Sequence, residues 1–308
     1  MTFNDLRSKK IGVLLGGKSM ERSTSLRSGA DVHRALLDLG FADAIKIDLD
    51  DDPIEQIVNS GIEFAFLSLH GTDYEDGKLQ GALEMLAIPY TGCGVLASAV
   101  GFDKVSAKIV ARGLGVSTPD WFLLKDPGSL EKLEFEGPYI IKPCAQGSSL
   151  GVQKIETVME LPEKIKPLFE EFGPVLVEKF IPGRDLTVAV VGNPGDLQVL
   201  PILEVIAPAG FYDREGKFGD ETKYSAPAKI DESVRLRAEE FAKAVYTALH
   251  CKAVSRLDFR LDGDRLYFLE INTIPGMNGS TSNMSCILRA ANIPYNDFVK
   301  KIILDSIS

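Results

Sequence analysis

Short apolar blocks alternate with amphipathic stretches through the first third of the chain. Residues 11–15 form an apolar run closed by Gly16-Gly17, the mark of a buried parallel strand ending in a tight turn. A helix is predicted to begin near Ser23 or Ser25, with Leu26, Ala30, Leu36 and Leu37 facing inward. Residues 44–48 predict a second strand, 53–60 a helix with Pro53 in its first turn, 64–69 a third strand and 79–86 a third helix. Such a β-α-β rhythm implies an open parallel sheet covered on both faces. Binding groups then belong in loops at the carboxyl ends of strands, where Glu21 and His70 fall.

After Lys104 the pattern changes. A helix to about residue 112 leads to a strand over 121–124, then to a strand, Gly-rich turn and strand written YIIKP, CAQGSS and LGVQKI. A helix over 161–172 precedes extended runs at 175–180 and 186–191. The last third predicts strands, a long helix over 232–249, a hairpin over 254–272 and one closing helix. No internal repeat or low-complexity tract interrupts this order. The segment GFYDREGKFGDETKYSAP is the long polar connection, and loops of that length commonly act as lids.

Composition narrows the function classes. The 308 residues are 45% hydrophobic and 25% charged, ordinary globular material for about two domains or three small ones. A formal charge of -10 makes nucleic acid and anionic membrane surfaces poor partners, while a local basic pocket can still accept ATP. Cys93, Cys144, Cys251 and Cys286 are scattered, so they read as reduced, buried small residues rather than a disulfide frame or zinc site. The N-terminal apolar run is too short for a secretory signal, and no apolar stretch approaches the ~18 residues of a membrane span. The chain reads as cytoplasmic.

The hairpin SRLDFRLDGDRLYFLEINTIPGM carries the strongest chemical signal. Alternation puts Arg256, Asp258 and Arg260 on one face and Leu257, Phe259 and Leu261 on the other. The Asp262-Gly263 turn brings Glu270 and Asn272 back beside Asp258. Two carboxylates and an amide oxygen make a hard oxygen site suited to Mg²⁺. A solvated face with charges in register would share this pattern, but it would not run straight into an apolar IPGM turn. The CAQGSSLG turn could wrap N–H and hydroxyl donors, including Ser148 and Ser149, around phosphate oxygens. Taken alone it is an ordinary hairpin connection, and it lacks the GxxxxGK[ST] pattern. Lys104, Lys142 and Lys217 could neutralise phosphate charge, though isolated lysines are usually only solvated. Glu21 could be a helix N-terminal acid and His70 a satisfied turn histidine.

In order along the chain, LLGGKSMERSTSLRSG, LHGTDYEDGKLQG, IPYTGCGVLASAVGFDK, YIIKP-x-x-QGSSLGV, VLVEKFIPGRDLTV, GFYDREGKF, SRLDF and FLEINTIPGM resemble the D-alanine–D-alanine ligase family of the ATP-grasp superfamily. The resemblance runs from about residue 10 to 300. It implies an α/β fold in three domains: an N-terminal parallel-sheet unit over 1–103, then an ATP-grasp pair of antiparallel-sheet units over 104–184 and 185–308. Ligation of two D-alanines through an acyl phosphate, for peptidoglycan synthesis, is the implied activity. A homodimer is implied as well.

Carried over by residue, the resemblance makes Lys104 and Lys142 phosphate ligands, with Ser148 and Ser149 in the phosphate loop. Glu178, Phe180 and Ile181 would line the adenine pocket, and Asp185 would hold the ribose. Asp258, Glu270 and Asn272 would bind two Mg²⁺, for which Mn²⁺ can stand in. Lys217 would close over the γ-phosphate, Glu21 would hold the first ammonium, and His70 would lie beside the first substrate. Arg256 and the Gly276 amide would stabilise the reacting carboxyl group. Ser148 would also join the lid to the Glu21 loop.

Asp185 stands where the family more often has Glu, and the chain departs from the family in three further places. Phe218 follows Lys217 where a Tyr is usual, which in relatives accompanies D-lactate as second substrate. The usual Arg-Glu before GSS is Ala145-Gln146. NGSTSNMS replaces a Ser-His-Ser-Leu run, leaving Ser280, Thr281 or Ser282 to supply the hydroxyl for the second carboxylate. D-lactate or D-serine therefore stands beside D-alanine as acceptor. A non-catalytic nucleotide-binding regulator would not need Glu21 with Arg256, and a biotin-carboxylase-like enzyme would lack the LHG and GGxSxER elements.

Overall fold

The computed structural model describes residues 2–207 and 221–308, so Lys217 and Phe218 lie outside the described residues. A short capped helix, α1 (Phe3–Leu6), precedes β1 (Ile11–Gly16), every residue of which is buried. Then follow α2 (Arg22–Asp38), β2 (Ile45–Leu49), α3 (Pro53–Ser60), β3 (Phe64–Leu67), α4 (Lys78–Met85), α5 (Val95–Phe102) and α6 (Lys104–Gly113). The strands pair in parallel in the order β2-β1-β3, with apolar clusters on both faces as the β-α-β pattern implied. Helix α2 starts at Arg22 and buries Ser25, Ser28, Gly29, Val32, Ala35 and Leu36. Leu37, expected inside, is 44% exposed, because the buried stripe passes one position before it. Helix α5 escaped the sequence reading: its VLASAVGF is apolar nearly all round and gives no amphipathic period.

A second, antiparallel sheet is built from β4 (Trp121–Leu124), β5 (Tyr139–Pro143), β6 (Gln153–Ile155) and, after α7 (Leu161–Phe172), β7 (Val175–Lys179). Its order is β4-β7-β5-β6, and α7 buries Leu161, Ile165 and Leu168 against it. The third sheet contains β8 (Arg184–Val191), β9 (Gln198–Val199), β10 (Leu203–Ile206) and β11 (Lys223–Ser225). After α8 (Glu232–Ala248) it is completed by β12 (Val254–Asp262) and β13 (Arg265–Asn272). It is antiparallel, in the order β11-β10-β8-β12-β13, with β9 on β8. Helix α8 packs Val234, Ala238, Ala242, Val245 and Tyr246 under this sheet together with Ala107 and Ala111 of α6.

The single closing helix expected from the sequence is two, α9 (Asn283–Ala290) and α10 (Tyr295–Ile307). Asn292 takes a left-handed φ of 53° and Pro294 removes a donor, so no continuous helix can run through them. Phe298, Val299, Ile302 and Ile303 of α10 share a core with Val32, Ala35 and Leu36 of α2. The same core includes Ala189, Val191 and Leu203 of the third sheet, so α10, α2 and that sheet pack together. All four cysteines are free, but Cys286 is only half-buried, contrary to expectation, and lies 3.2 Å from Arg289 Nη2.

Candidate active site

The three sheets meet around one cavity of about 640 Å³. It is lined by Glu21, His70, Lys104, Lys142, Ser148, Ser149, Glu178, Phe180, Ile181, Asp185, Arg256, Asp258, Glu270, Asn272, Gly276, Thr281 and Ser282. Ser280 is exposed and does not line it: its N–H and hydroxyl turn to Asn278 Oδ1.

One irregularity in the hairpin aims the carboxylates. Asp262 pairs with Arg265 and Phe259 with Phe268, but Asp258 pairs with Glu270, because the register shifts by one between Asp258 and Phe259. Strict alternation would put Leu266, Phe268, Glu270 and Asn272 on one face. The bulge at Leu269 breaks that parity. Leu266, Phe268 and Ile271 therefore join Leu257, Phe259 and Leu261 in the core, while Glu270 and Asn272 oppose Asp258 and Arg256 at the cavity. The Phe259 and Phe268 rings meet edge to face at 5.8 Å, and each ring's burial contributes ~1.5–3 kcal/mol to holding this register.

Cations surround the two carboxylates. Lys104 Nζ lies 3.2 Å from Glu270 Oε2 and donates to the Gln146 carbonyl at 2.6 Å. Arg256 grips Asp258 through Nε at 3.2 Å and Nη2 at 3.0 Å, and Thr187 Oγ1 donates to Asp258 Oδ1 at 2.7 Å. Burial opposes charge on Glu270, yet Lys104, Lys142 and Arg256 outweigh it and hold the carboxyl down to about 2. It stays an anion at any working pH. Among the described residues no group of three His, Cys, Asp or Glu side chains gathers. A divalent cation here would draw on Asp258, Glu270 and the Asn272 amide, an all-oxygen donor set that fits Mg²⁺.

Beside that hairpin lies a buried triad. Glu178 sits between Lys108 at 2.6 Å and Lys142 at 2.7 Å, with Lys108 also donating to Thr118 Oγ1 at 2.6 Å. Burial disfavours the Glu178 carboxylate, but the two ammonium groups win and lower its pKa. Lys108 was missed in the sequence, where a helix lysine reads as solvated; it is wholly buried. Asp185 pairs with Arg260 at 2.6 Å, and burial still raises its pKa.

Glu21 occupies the N-cap position of α2 but makes no capping bond. Its Oε2 is buried and accepts no hydrogen bond among the described residues, which suits a ligand ammonium. His70 lies nearby in chemistry, its Nδ1 4.0 Å from Glu75 and its buried Nε2 without a partner among the described residues. The phosphate-loop candidate comes right against Glu21: a Cβ on Gly147 would lie 2.2 Å from Glu21 Oε2. Ser148 and Ser149 follow with φ of 56° and 54°, a left-handed pair that costs energy outside glycine, and both line the cavity.

Comparison with known proteins covers nearly the whole chain. The family described as D-ala D-ala ligase C-terminus matches residues 111–304, and D-ala D-ala ligase N-terminus matches residues 44–93. A D-alanine–D-alanine ligase of Carboxydothermus hydrogenoformans is 38% identical, covering 96% of this chain and 97% of the relative. One from Bordetella pertussis is 40% identical, covering 96% and 95%. The crystal structure of the Bacillus anthracis D-alanine–D-alanine ligase complexed with ATP superposes with a TM-score of 0.82 at 30% identity, covering 97% of this chain and 98% of that one. The VanG D-Ala:D-Ser ligase of Enterococcus faecalis gives 0.80 at 26% identity, covering 96% and 98%.

Proposed function

The chain belongs to the D-alanine–D-alanine ligase family, and from that premise we propose that it uses ATP to join two D-alanines into D-alanyl-D-alanine for peptidoglycan. One observation carries this reading at the site. Asp258 and Glu270 oppose each other across the hairpin, inside the cavity that also holds Lys104, Lys142, the Gly147–Ser149 turn and the unpartnered Glu21 oxygen.

The reaction follows from charge. A carboxylate is a poor electrophile, so one of its oxygens attacks the γ-phosphorus of ATP, the bridging P–O bond breaks, and ADP leaves behind an acyl phosphate. Asp258, Glu270 and Asn272 would hold Mg²⁺, which would supply the charge neutralisation that phosphoryl transfer needs. Lys104 and Lys142 offset the remaining oxygen charge, and the turn's N–H groups orient the phosphates. Glu21 holds the first ammonium, with His70 beside it. Arg256 and the Gly276 amide stabilise charge on the acyl oxygen. A second amine then attacks the acyl carbon, loses a proton, and expels phosphate. Glu178, Phe180, Ile181 and Asp185 form the nucleoside side of the cavity in this assignment.

Acceptor choice is the open variable of the site. The Phe218 side chain carries no hydroxyl, and this favours relaxed choice that extends to D-lactate. The protein is proposed to act in the cytoplasm, where ATP is available, as a homodimer; no described helix is long and apolar enough to cross a membrane. Incubation with MgATP and D-alanine, alone or paired with D-serine or D-lactate over a range of pH, tests the reading by phosphate release and product mass. D-Alanyl-D-alanine with one phosphate per bond is expected. Absence of phosphate with every pair contradicts the ligase, and absence of ester at every pH contradicts the D-lactate extension alone.

A further inference from the structure

Once its amine is deprotonated for attack, an acceptor amino acid carries one formal charge, its carboxylate. Burying that anion near Glu21, Asp258 and Glu270 is costly unless a cation meets it. Four cations lining the cavity are already engaged with carboxylates: Lys104 with Glu270, Lys142 with Glu178, Arg256 with Asp258 and Arg260 with Asp185. Lys179 and Arg27 also line it and have no carboxylate partner among the described residues. Lys179 belongs to the side with Phe180 and Ile181. Arg27 belongs to the side walled by α2 and the segment after Gly276.

Hydrogen bonds tie that wall together. Thr24, Arg27, Ser28 and Asp31 follow the i, i+3, i+4, i+7 spacing of one helix stripe. Ser28 Oγ accepts the Met277 N–H at 3.2 Å, and Asp31 Oδ2 accepts from Asn278 Nδ2 at 3.1 Å and from the Gly279 N–H at 3.0 Å. Across the wall, Asn278 Oδ1 gathers the N–H and hydroxyl of Ser280 and of Thr281, at 2.9 to 3.1 Å. The result leaves Thr24, Arg27, Gly276, Thr281 and Ser282 around the same end of the cavity. All of these side chains except Arg27 are neutral.

We propose that Arg27 is the residue that reads the acceptor's carboxylate, with Thr281 and Ser282 on the facing wall. The inference rests on the ligase reading and deepens it. A guanidinium suits the task because its planar fork matches a carboxylate in two parallel hydrogen bonds. An acceptor with a carboxylate is then preferred over the same amine without one.

D-Alaninamide tests this, since it can accept an acyl group but cannot donate one. Wild type and R27Q are assayed with MgATP, D-alanine as donor, and D-alanine or D-alaninamide as acceptor, with products separated by mass. For R27Q the KM for acceptor D-alanine is expected to rise ~10- to 100-fold, the loss falling on KM more than on kcat. The KM for D-alaninamide should move by less than ~3-fold, so that the preference for the carboxylate collapses, and R27K should recover part of it. Unchanged discrimination in R27Q overturns the proposal while leaving the ligase reading standing, as does an equal loss with both acceptors. A wild-type chain that forms no dipeptide overturns the ligase reading and this inference with it.

Discussion

Lys108, Glu178 and Lys142 place two cations around one carboxylate with almost no water. Burial dominates at Lys108 and, despite Glu178, brings its pKa down to about 8. An unfolded lysine titrates near ~10.4. Between those values the unfolded chain binds the extra proton, so this group makes stability rise with pH over about 8 to 10.4, at a slope of up to ~1.4 kcal/mol per pH unit. Below pH 8 the charging cost is fully present. Denaturant midpoints of wild type and K108M across that window test this: the rise should disappear in K108M. An identical pH slope in both would show that Lys108 keeps an ordinary pKa. The same residue marks a limit of sequence reading. Asp258, Glu270 and Asn272 were legible because alternation and a turn brought them together on paper. Lys108 was not, because burial of a helix lysine depends on Glu178, which is distant in sequence. Arg27 was hidden for the same reason, since its neighbours Thr281 and Ser282 lie at the other end of the chain.

Among the elements, the β12–β13 hairpin shows what pattern alone misses. The sequence pointed to Glu270 and Asn272 facing Asp258, and they do, but plain alternation would have carried Phe268 to that face too. Leu269 resolves the conflict as an extra, bulged residue. Deleting it leaves Phe268 facing the core and Glu270 facing the cavity, so the sheet should still form, with a stability loss under ~2 kcal/mol. The bulge also sets the local twist, and its loss should misdirect Glu270 and lower kcat/KM by at least ~10-fold. Equilibrium unfolding and steady-state kinetics on the deletion variant measure the two effects separately. Full activity, or a failure to fold, would contradict this role for Leu269. Most other strands and long helices were readable from periodicity, but β9, β10 and β11 had no assigned place and the one closing helix is two. Helix α5 was not readable, because a segment apolar nearly all round has no polar face to mark its turn, even where Val95 and Leu96 are exposed.

For the whole molecule, ordered motifs from nearly every part of the sequence fall around one cavity. Packing explains how: α10 binds back onto α2, and α6 joins α8 beneath the third sheet. The chain carries a net charge of -10, yet Lys104, Lys142, Arg256 and Arg260 all line this one cavity. The central claim is that these groups let a substrate carboxylate oxygen take the terminal phosphoryl of ATP. D-Alanine labelled with ¹⁸O in both carboxylate oxygens, turned over with MgATP, tests it most directly. The account predicts ADP, D-alanyl-D-alanine, and released phosphate carrying one ¹⁸O atom from the donor. Dipeptide accompanied by unlabelled phosphate would contradict it.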